Sequence, residues 1–321
     1  MRFFLLLLAA FALMAASARC QEDEIVANLA GGRVLIHVTR DSILFAAIDH
    51  PLEAKSVPPR VTSLGSSHIG IFFGASEWQS PAQPRPIRLD RDIPDVRVSR
   101  NQQYQLPAGS GETDLEEIGV VFLEKLRPLV SQLHHKIDLK PDEPLVEIVL
   151  VGYAPEGYGP EVWTIDYQVE QDSIGGKTDF WQTHILRPRF TQLYPPEKHQ
   201  PKTLLELCFP ADLQAIPLTG LIQQNDSGIA RLRSSDARFA KVVDQIEHGQ
   251  ANKSSPQDAA DFLRAALPLL AGNSRFIEGQ LGESGGFEWI VPPEEPVDKQ
   301  QRAEDKDRPP DAPTLRRKPN P

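Results

Sequence analysis

Residues that could form a catalytic or metal site are few and scattered in this chain. The sequence holds two cysteines, Cys20 and Cys208, and 8 histidines spread along 321 residues. It contains no HExxH, CxxC, G-x-S-x-G or phosphate-loop pattern, which would place ligands, thiols, a serine nucleophile or phosphate-binding amides at useful spacing. His134 and His135 are adjacent, so on a helix they would point in different directions. We therefore predict neither a metal site nor a cofactor.

The interpretation of Cys20 depends on how the N-terminus is processed. Met1 and Arg2 precede an apolar run that ends in Ala16-Ser17-Ala18, the pattern of a cleavable signal peptide. We predict a signal peptide over residues 1–18 and a secreted or periplasmic protein. Cys20 could then form a disulfide with Cys208, stay a thiol or be removed. Lipoprotein processing at Cys20 is a further alternative, which Arg19 disfavours because a small residue should precede the acylated cysteine.

Composition limits the class of partner. The chain is 40% hydrophobic, enough to build a core, and its net charge is −10. Phosphate contacts require clustered Lys and Arg, so we predict no nucleic-acid partner. No segment after the signal peptide is long and apolar enough to span a membrane, so we also predict no transmembrane segment. The identity of any partner is left open.

The first half of the chain predicts two β-hairpins and a helix. Apolar runs at 34–38 and 43–48 flank a polar turn, and runs at 60–64 and 69–73 flank Gly65-Ser66-Ser67. Residues 79–112 are Pro-rich and predict a long loop or arm, with a charged strand face as the alternative. A capping box from Thr113 to Glu116 then predicts the start of a helix that ends near His134-His135.

The second half adds strands and helices. We expect a short leader before the first hairpin, over residues 19–30, and a disordered tail over 292–321, where charge and proline dominate. Between these, the expected elements are strands at 145–151, 161–169, 180–188 and 287–291, and helices at 235–248 and 255–270. Residues 189–220 are ambiguous, with a short helix suggested at Thr203–Cys208.

This order of elements, with its local motifs, resembles the proteasome-like branch of the N-terminal nucleophile (Ntn) hydrolases. Ile43–His50, ILFAAIDH, is similar to the family's strand that ends in aspartate, and Phe72-Phe73-Gly74-Ala75 is similar to its Gly-containing strand end. Residues 145–169 are similar to its central hairpin. The resemblance covers about residues 30–291. It implies a single α+β domain over 19–291, built as a four-layer αββα sandwich.

The resemblance also implies where a reaction would occur. The family attacks a carbonyl with a Thr, Ser or Cys at the start of the first strand, using its own α-amine as base. That position falls near Gly32-Arg33, where none of these residues stands. Asp49, Arg60 and Gly74 match the family's other pocket positions, but Arg60 replaces a lysine and stays charged. Cys20 is the alternative nucleophile, although the acidic residues 21–24 would raise the pKa of its thiol.

Three hypotheses follow. The favoured one is an exported, non-catalytic Ntn-like protein that acts as a binding or interaction module and could self-assemble, as proteasome-like relatives do. The second is an exported amidase or peptidase that uses Cys20 or an unusual nucleophile. The third is an unrelated α+β binding protein. A structure in which two stacked sheets are absent would select the third.

Overall fold

Apolar runs form strands along most of the chain. The computed structural model describes residues 26–49, 59–64, 68–79, 85–92, 111–140, 142–154, 159–176, 180–195, 204–211, 216–272, 274–283 and 286–293. The strands in these residues are β1 Val26–Ala30, β2 Gly32–Val38, β3 Ser42–Asp49, β4 Arg60–Ser63, β5 His68–Gln79, β6 Ile87–Arg88, β7 Val146–Ala154, β8 Gly159–Tyr167, β9 Val169–Ser173, β10 Trp181–Ile185, β11 Arg189–Tyr194, β12 Leu204–Phe209, β13 Phe276–Gly282 and β14 Gly286–Val291.

Three of the described helices begin where the sequence supplies a capping side chain. The Ser255 side chain accepts a hydrogen bond from the amide of Asp258 at the start of the helix Pro256–Ala271. Asp226 and Asp236 cap the helices Ser227–Ser235 and Ala237–Glu247 in the same way. The helices are α1 Leu89–Asp92, α2 Gly111–Val130, α3 Leu218–Gln223, α4 Ser227–Ser235, α5 Ala237–Glu247 and α6 Pro256–Ala271, with short 3₁₀ segments at Ile174–Gly176 and Ala251–Lys253.

The strands form two antiparallel sheets and a ribbon. Within the described chain, one sheet has the order β1-β5-β7-β8-β11, with β4 and β6 also paired to β5. The second sheet has the order β12-β2-β3-β13-β14, and β9 pairs with β10. All of these pairings are antiparallel. Because helices and antiparallel sheets occupy separate parts of the chain, the protein belongs to the α+β class.

Three hydrophobic cores hold the elements together. In the first core, Phe122 and Leu126 of α2 pack with residues of β5, β7 and β8. In the second core, helices α3 to α6 pack on alternate residues of β2 and β3, such as Leu35 and Ala46. The third core contains side chains from both sheets, including Phe45 and Phe73, and we call it the inter-sheet core. Successive side chains along a strand point to opposite faces of its sheet, so one set packs against helices and the other set packs in the inter-sheet core.

Most predicted elements are confirmed, and several are corrected. Both hairpins form, and the helix expected at 255–270 is α6. The short helix expected at Thr203–Cys208 was wrong, because residues 204–208 lie in β12 and pair with β2. The expected leader contains β1, which pairs with β5. Helix α2 begins at Gly111, before the proposed cap Thr113, and it ends at Val130, before His134-His135.

Some expectations fall on residues outside the described ranges. These include the signal peptide over 1–18, Cys20 and, apart from Pro292 and Pro293, the tail over 292–321. Of the Pro-rich segment 79–112, residues 87–92 form β6 and α1, and residues 111–112 open α2. Among the helices that the structure describes, we find none with the length and apolar character to cross a membrane.

Candidate functional site

Asp49 ends β3 directly opposite the first residue of β2. The β2–β3 register pairs Gly32 with Asp49, and the β12–β2 register pairs Phe209 with Gly32. The Asp49 amide donates to the carbonyl of Arg275, 2.8 Å away, and the Arg275 Nη2 lies 3.1 Å from Asp49 Oδ2. Asp49 Oδ1 is buried and has no hydrogen-bond partner among the described residues. The carboxylate is therefore held from one side only.

Gly32 occupies the position at which the family resemblance places a nucleophile. A Cβ atom at Gly32 would lie 2.4 Å from the carbonyl oxygen of Ile48 and 2.9 Å from Pro59 Cγ. The chain also runs from β1 through Gly31 into β2, and Ala30 pairs with Gly74 of the other sheet. In the chain as described, this position therefore has neither room for a side chain nor a free amine.

Gly74 lies at the same end of the sheets as Asp49. Its φ is 73°, and a Cβ there would lie 2.2 Å from the Leu145 carbonyl oxygen and 3.1 Å from Phe209 Cζ. Phe209, which pairs with Gly32, also stacks on Phe73, with ring centroids 6.0 Å apart. These contacts bring Gly74 and the Gly32–Asp49 pair to one end of the inter-sheet core. We call this the Asp49 end.

Arg60 is held elsewhere. It lies opposite Phe72 in the β4–β5 register, and Phe72 belongs to the core beneath α2. Opposed residues in an antiparallel pair share a face, so Arg60 lies on the helical face of its sheet. Its Nη2 is 2.8 Å from Glu77 Oε2. Asp49 and Arg60 therefore have different ion partners and lie in different sheets, while Asp49 and Gly74 are brought together.

A pair of carboxyl groups that sequence reasoning missed also lies at the Asp49 end. Phe73 pairs with Glu147, Glu147 pairs with Asp166, and Asp166 pairs with Arg189 on neighbouring strands. All four residues therefore lie on the sheet face that lines the inter-sheet core. Arg189 Nη2 is 3.3 Å from Asp166 Oδ2, and Asp166 Oδ1 is buried with no partner in the described chain. The signal for this pair was an acidic residue at an inward position of an apolar strand.

Burial controls the protonation of this pair. It raises the pKa of Glu147 to about 8, and the charge of Asp166 adds to the shift. It also raises the pKa of Asp166, although Arg189 opposes this with a hydrogen bond and its charge. Glu147 is thus a protonated acid at neutral pH and can donate a hydrogen bond or a proton. Within the described ranges, no group of three or more His, Cys, Asp or Glu side chains could hold a metal.

Cys208 lies on β12, opposite Arg33 of β2. It is a free thiol in the described chain, and its pKa is raised by burial, which the nearby charge of Arg33 opposes. A raised pKa lowers the thiolate fraction, so Cys208 is a poor nucleophile. Cys20 lies outside the described residues, which leaves a disulfide between them and the Cys20 nucleophile as predictions.

Comparisons with known proteins add no family to this geometry. A scan against protein-family models finds no match, and a search of curated proteins finds no significantly similar sequence. What the Asp49 end does must therefore be argued from its own residues.

Proposed function

We propose that this chain is an exported, non-catalytic Ntn-like protein, built as a four-layer αββα sandwich, that acts as an interaction module. The three cores support the sandwich. One joins α2 to the first sheet, one joins α3 to α6 to the second sheet, and the inter-sheet core draws on both sheets. Two sheets that share a core and carry helices on their other faces are the layer order that the resemblance implies.

The absence of space at Gly32 carries the non-catalytic part of the proposal. An Ntn mechanism needs a hydroxyl or thiol and a free amine on one residue. Gly32 pairs with Asp49, and a Cβ at Gly32 would lie 2.4 Å from the Ile48 carbonyl oxygen. The chain continues from β1 through Gly31 to Gly32, so Gly32 has no free amine. Cys20 does not remedy this, because it precedes β1, whose first residue Val26 pairs with Gln79 and not with Gly74.

The N-terminus and the hydrolase activity of the mature, exported protein test this part. We expect mass spectrometry to place the terminus at Arg19 or Gln21, and we expect no hydrolysis of a panel of peptide amides. A terminus at Cys20, with amide hydrolysis that iodoacetamide and Cys20→Ala both abolish, would overturn the proposal in favour of the amidase. Cys208→Ala is the matched control, since it removes the other cysteine.

Two exposed apolar side chains near the Asp49 end, which we call the apolar patch, support the interaction part. Ile216 and Leu269 are 58% and 43% exposed. They lie on segments joined by Arg33, whose guanidinium donates to the Ile216 carbonyl at 2.7 Å and to the Leu270 carbonyl at 3.2 Å. Because Arg33 follows Gly32, this patch lies on the helical side of the Asp49 end. We propose that a second copy of the chain binds there.

Native mass spectrometry and light scattering of the full mature chain test the self-assembly. We expect oligomers that Ile216→Glu disrupts. Val120→Glu is the matched control, because Val120 is 48% exposed on α2, which packs on the other sheet. A protein that is monomeric at all concentrations, or equal loss of oligomers in both variants, would reject the patch as the assembly surface. That result would leave the argument at Gly32 untouched.

A further inference from the structure

Glu278 is a fully buried carboxyl group in the core beneath the helices. It lies on β13 opposite Ala46 of β3, and Ala46 belongs to the second core, with α3 to α6. Its exposed fraction is 0%, and neither carboxyl oxygen has a hydrogen-bond partner in the described chain. A buried polar group without a hydrogen-bond partner is unfavourable. Such a group in a native core requires a physical explanation.

The charged groups near Glu278 come from α6. Arg264 and Asp261 are the two charges that act on it. The residues paired with Glu278 on both neighbouring strands, Ala46 and Val291, are apolar. The nearest acid on β14, Glu288, pairs with Gln280 and is exposed. Among the described residues, Arg264 is therefore the cation that acts on Glu278.

Arg264 is weakly held where it now lies. Its side chain is 52% exposed, and its Nη1 is 3.8 Å from Asp261 Oδ1. Asp261 has other partners, because Arg238 Nη1 lies 3.2 Å from its Oδ2 and Gln257 Nε2 donates to its Oδ1 at 3.0 Å. Asp261 would therefore stay paired if Arg264 moved away.

We propose that Glu278 is a proton-controlled switch in which loss of its proton draws Arg264 from Asp261 and fastens α6 to β13. In the protonated state the carboxyl is neutral and packs as an uncharged side chain. On ionisation the proton goes to solvent, and the Arg264–Asp261 ion pair is exchanged for an Arg264–Glu278 pair. The two states are equally populated near neutral pH, because burial raises the pKa of Glu278 to about 7 while the charge of Arg264 opposes the rise. The proposal does not depend on the proposed function.

The titration of the Glu278 carboxyl in the full chain tests the switch. We expect ¹³C NMR of labelled glutamates to show one carboxyl, absent in Glu278→Gln, that titrates near pH 7. In Arg264→Gln its midpoint should move up by about one pH unit, because the cation that favours the charged form is gone. Amide exchange of α6, corrected for intrinsic rates, should slow across this midpoint in the wild-type protein and remain flat in Glu278→Gln.

Each alternative result contradicts the switch. It is overturned if the Glu278 carboxyl titrates below pH 5, if Arg264→Gln leaves the midpoint unchanged, or if α6 exchange keeps its pH dependence in Glu278→Gln. Glu288→Gln is the matched control, since it removes an exposed acid from the adjacent strand. Because the Arg264 side chain is 52% exposed, we expect Arg264→Gln to fold, so it can still decide the question if Glu278→Gln does not fold.

Discussion

Gly32→Ser tests the central steric argument, because serine is the smallest residue that would supply a nucleophile. The Cβ of any side chain at Gly32 would lie 2.4 Å from the Ile48 carbonyl oxygen. This oxygen belongs to the backbone of β3, and every residue of β2 pairs with β3. The oxygen therefore cannot move without disturbing the β2–β3 pairing. The second contact, at 2.9 Å, is with the ring of Pro59. The backbone must therefore absorb the strain that a side chain at this position would cause.

We expect Gly32→Ser to lower the free energy of unfolding by about 3 kcal/mol, the upper part of the range for overpacked sites. Gly286→Ser is the matched control. A Cβ at Gly286, the first residue of β14, meets nothing within 4 Å. Replacing a strand glycine without strain should stabilise the control by up to ~1 kcal/mol. The free energies of unfolding of the two serine variants should therefore differ by about 3–4 kcal/mol in urea denaturation followed by circular dichroism.

A Gly32→Ser protein that unfolds at the same urea concentration as the wild type would refute the reasoning. The position would then have room for a nucleophile, and the non-catalytic assignment would lose its main support. Loss of stability in Gly286→Ser of equal size would also count against it, because the effect would then not depend on the contact with Ile48.

Two further predictions concern pH. Between the ordinary pKa of 4.5 and about 8, folded Glu147 holds a proton that the unfolded chain has lost, so the wild type should lose about 1.4 kcal/mol of stability per pH unit there. Glu147→Gln should flatten this slope in urea denaturation from pH 5 to 9, and an unchanged slope would contradict it. Burial acts to raise the pKa of Glu161, but hydrogen bonds from His68 and Trp163 lower it overall. Its stabilisation is present above pH 4.5 and lost as pH falls further, so Glu161→Gln should be less stable by about 1 kcal/mol at pH 7, and this difference should shrink as the pH falls below 4.5. A difference that does not shrink as the pH falls below 4.5 would contradict the second prediction.

Local sequence signals predicted the hairpins and α6, because their determinants lie close together in the chain. Polar turns separate the apolar runs of β2 and β3, and Ser255-Pro256 marks the first turn of α6. The segment over residues 204–208, expected as part of a helix, was misassigned for the opposite reason. Its leucines and glutamate favour a helix, but pairing with β2, some 170 residues earlier, makes it a strand.

The candidate site also could be predicted only where its arrangement depends on residues close together in the chain. That Gly32 would face Asp49 could be predicted, since the short β2–β3 turn sets the register. The position of Arg60 could not, because the face it occupies depends on its pairing with Phe72. The Glu147–Asp166 pair required the β7–β8 register and the shared core of two sheets, neither of which local sequence specifies.

The Asp49 end holds carboxyl groups that are only partly paired within the described chain. Asp49 and Asp166 each hold a buried oxygen without a partner in the described chain, and each pairs through its other oxygen with an arginine that is more than half exposed. Apolar side chains of similar size are often neutral or stabilising at such positions. Under the proposed function, in which Gly32 leaves no room for a nucleophile, these polar groups serve binding and not hydrolysis. The apolar patch at Ile216 lies at the same end, held by Arg33 next to Gly32. Both observations direct the search for a partner to this end of the protein.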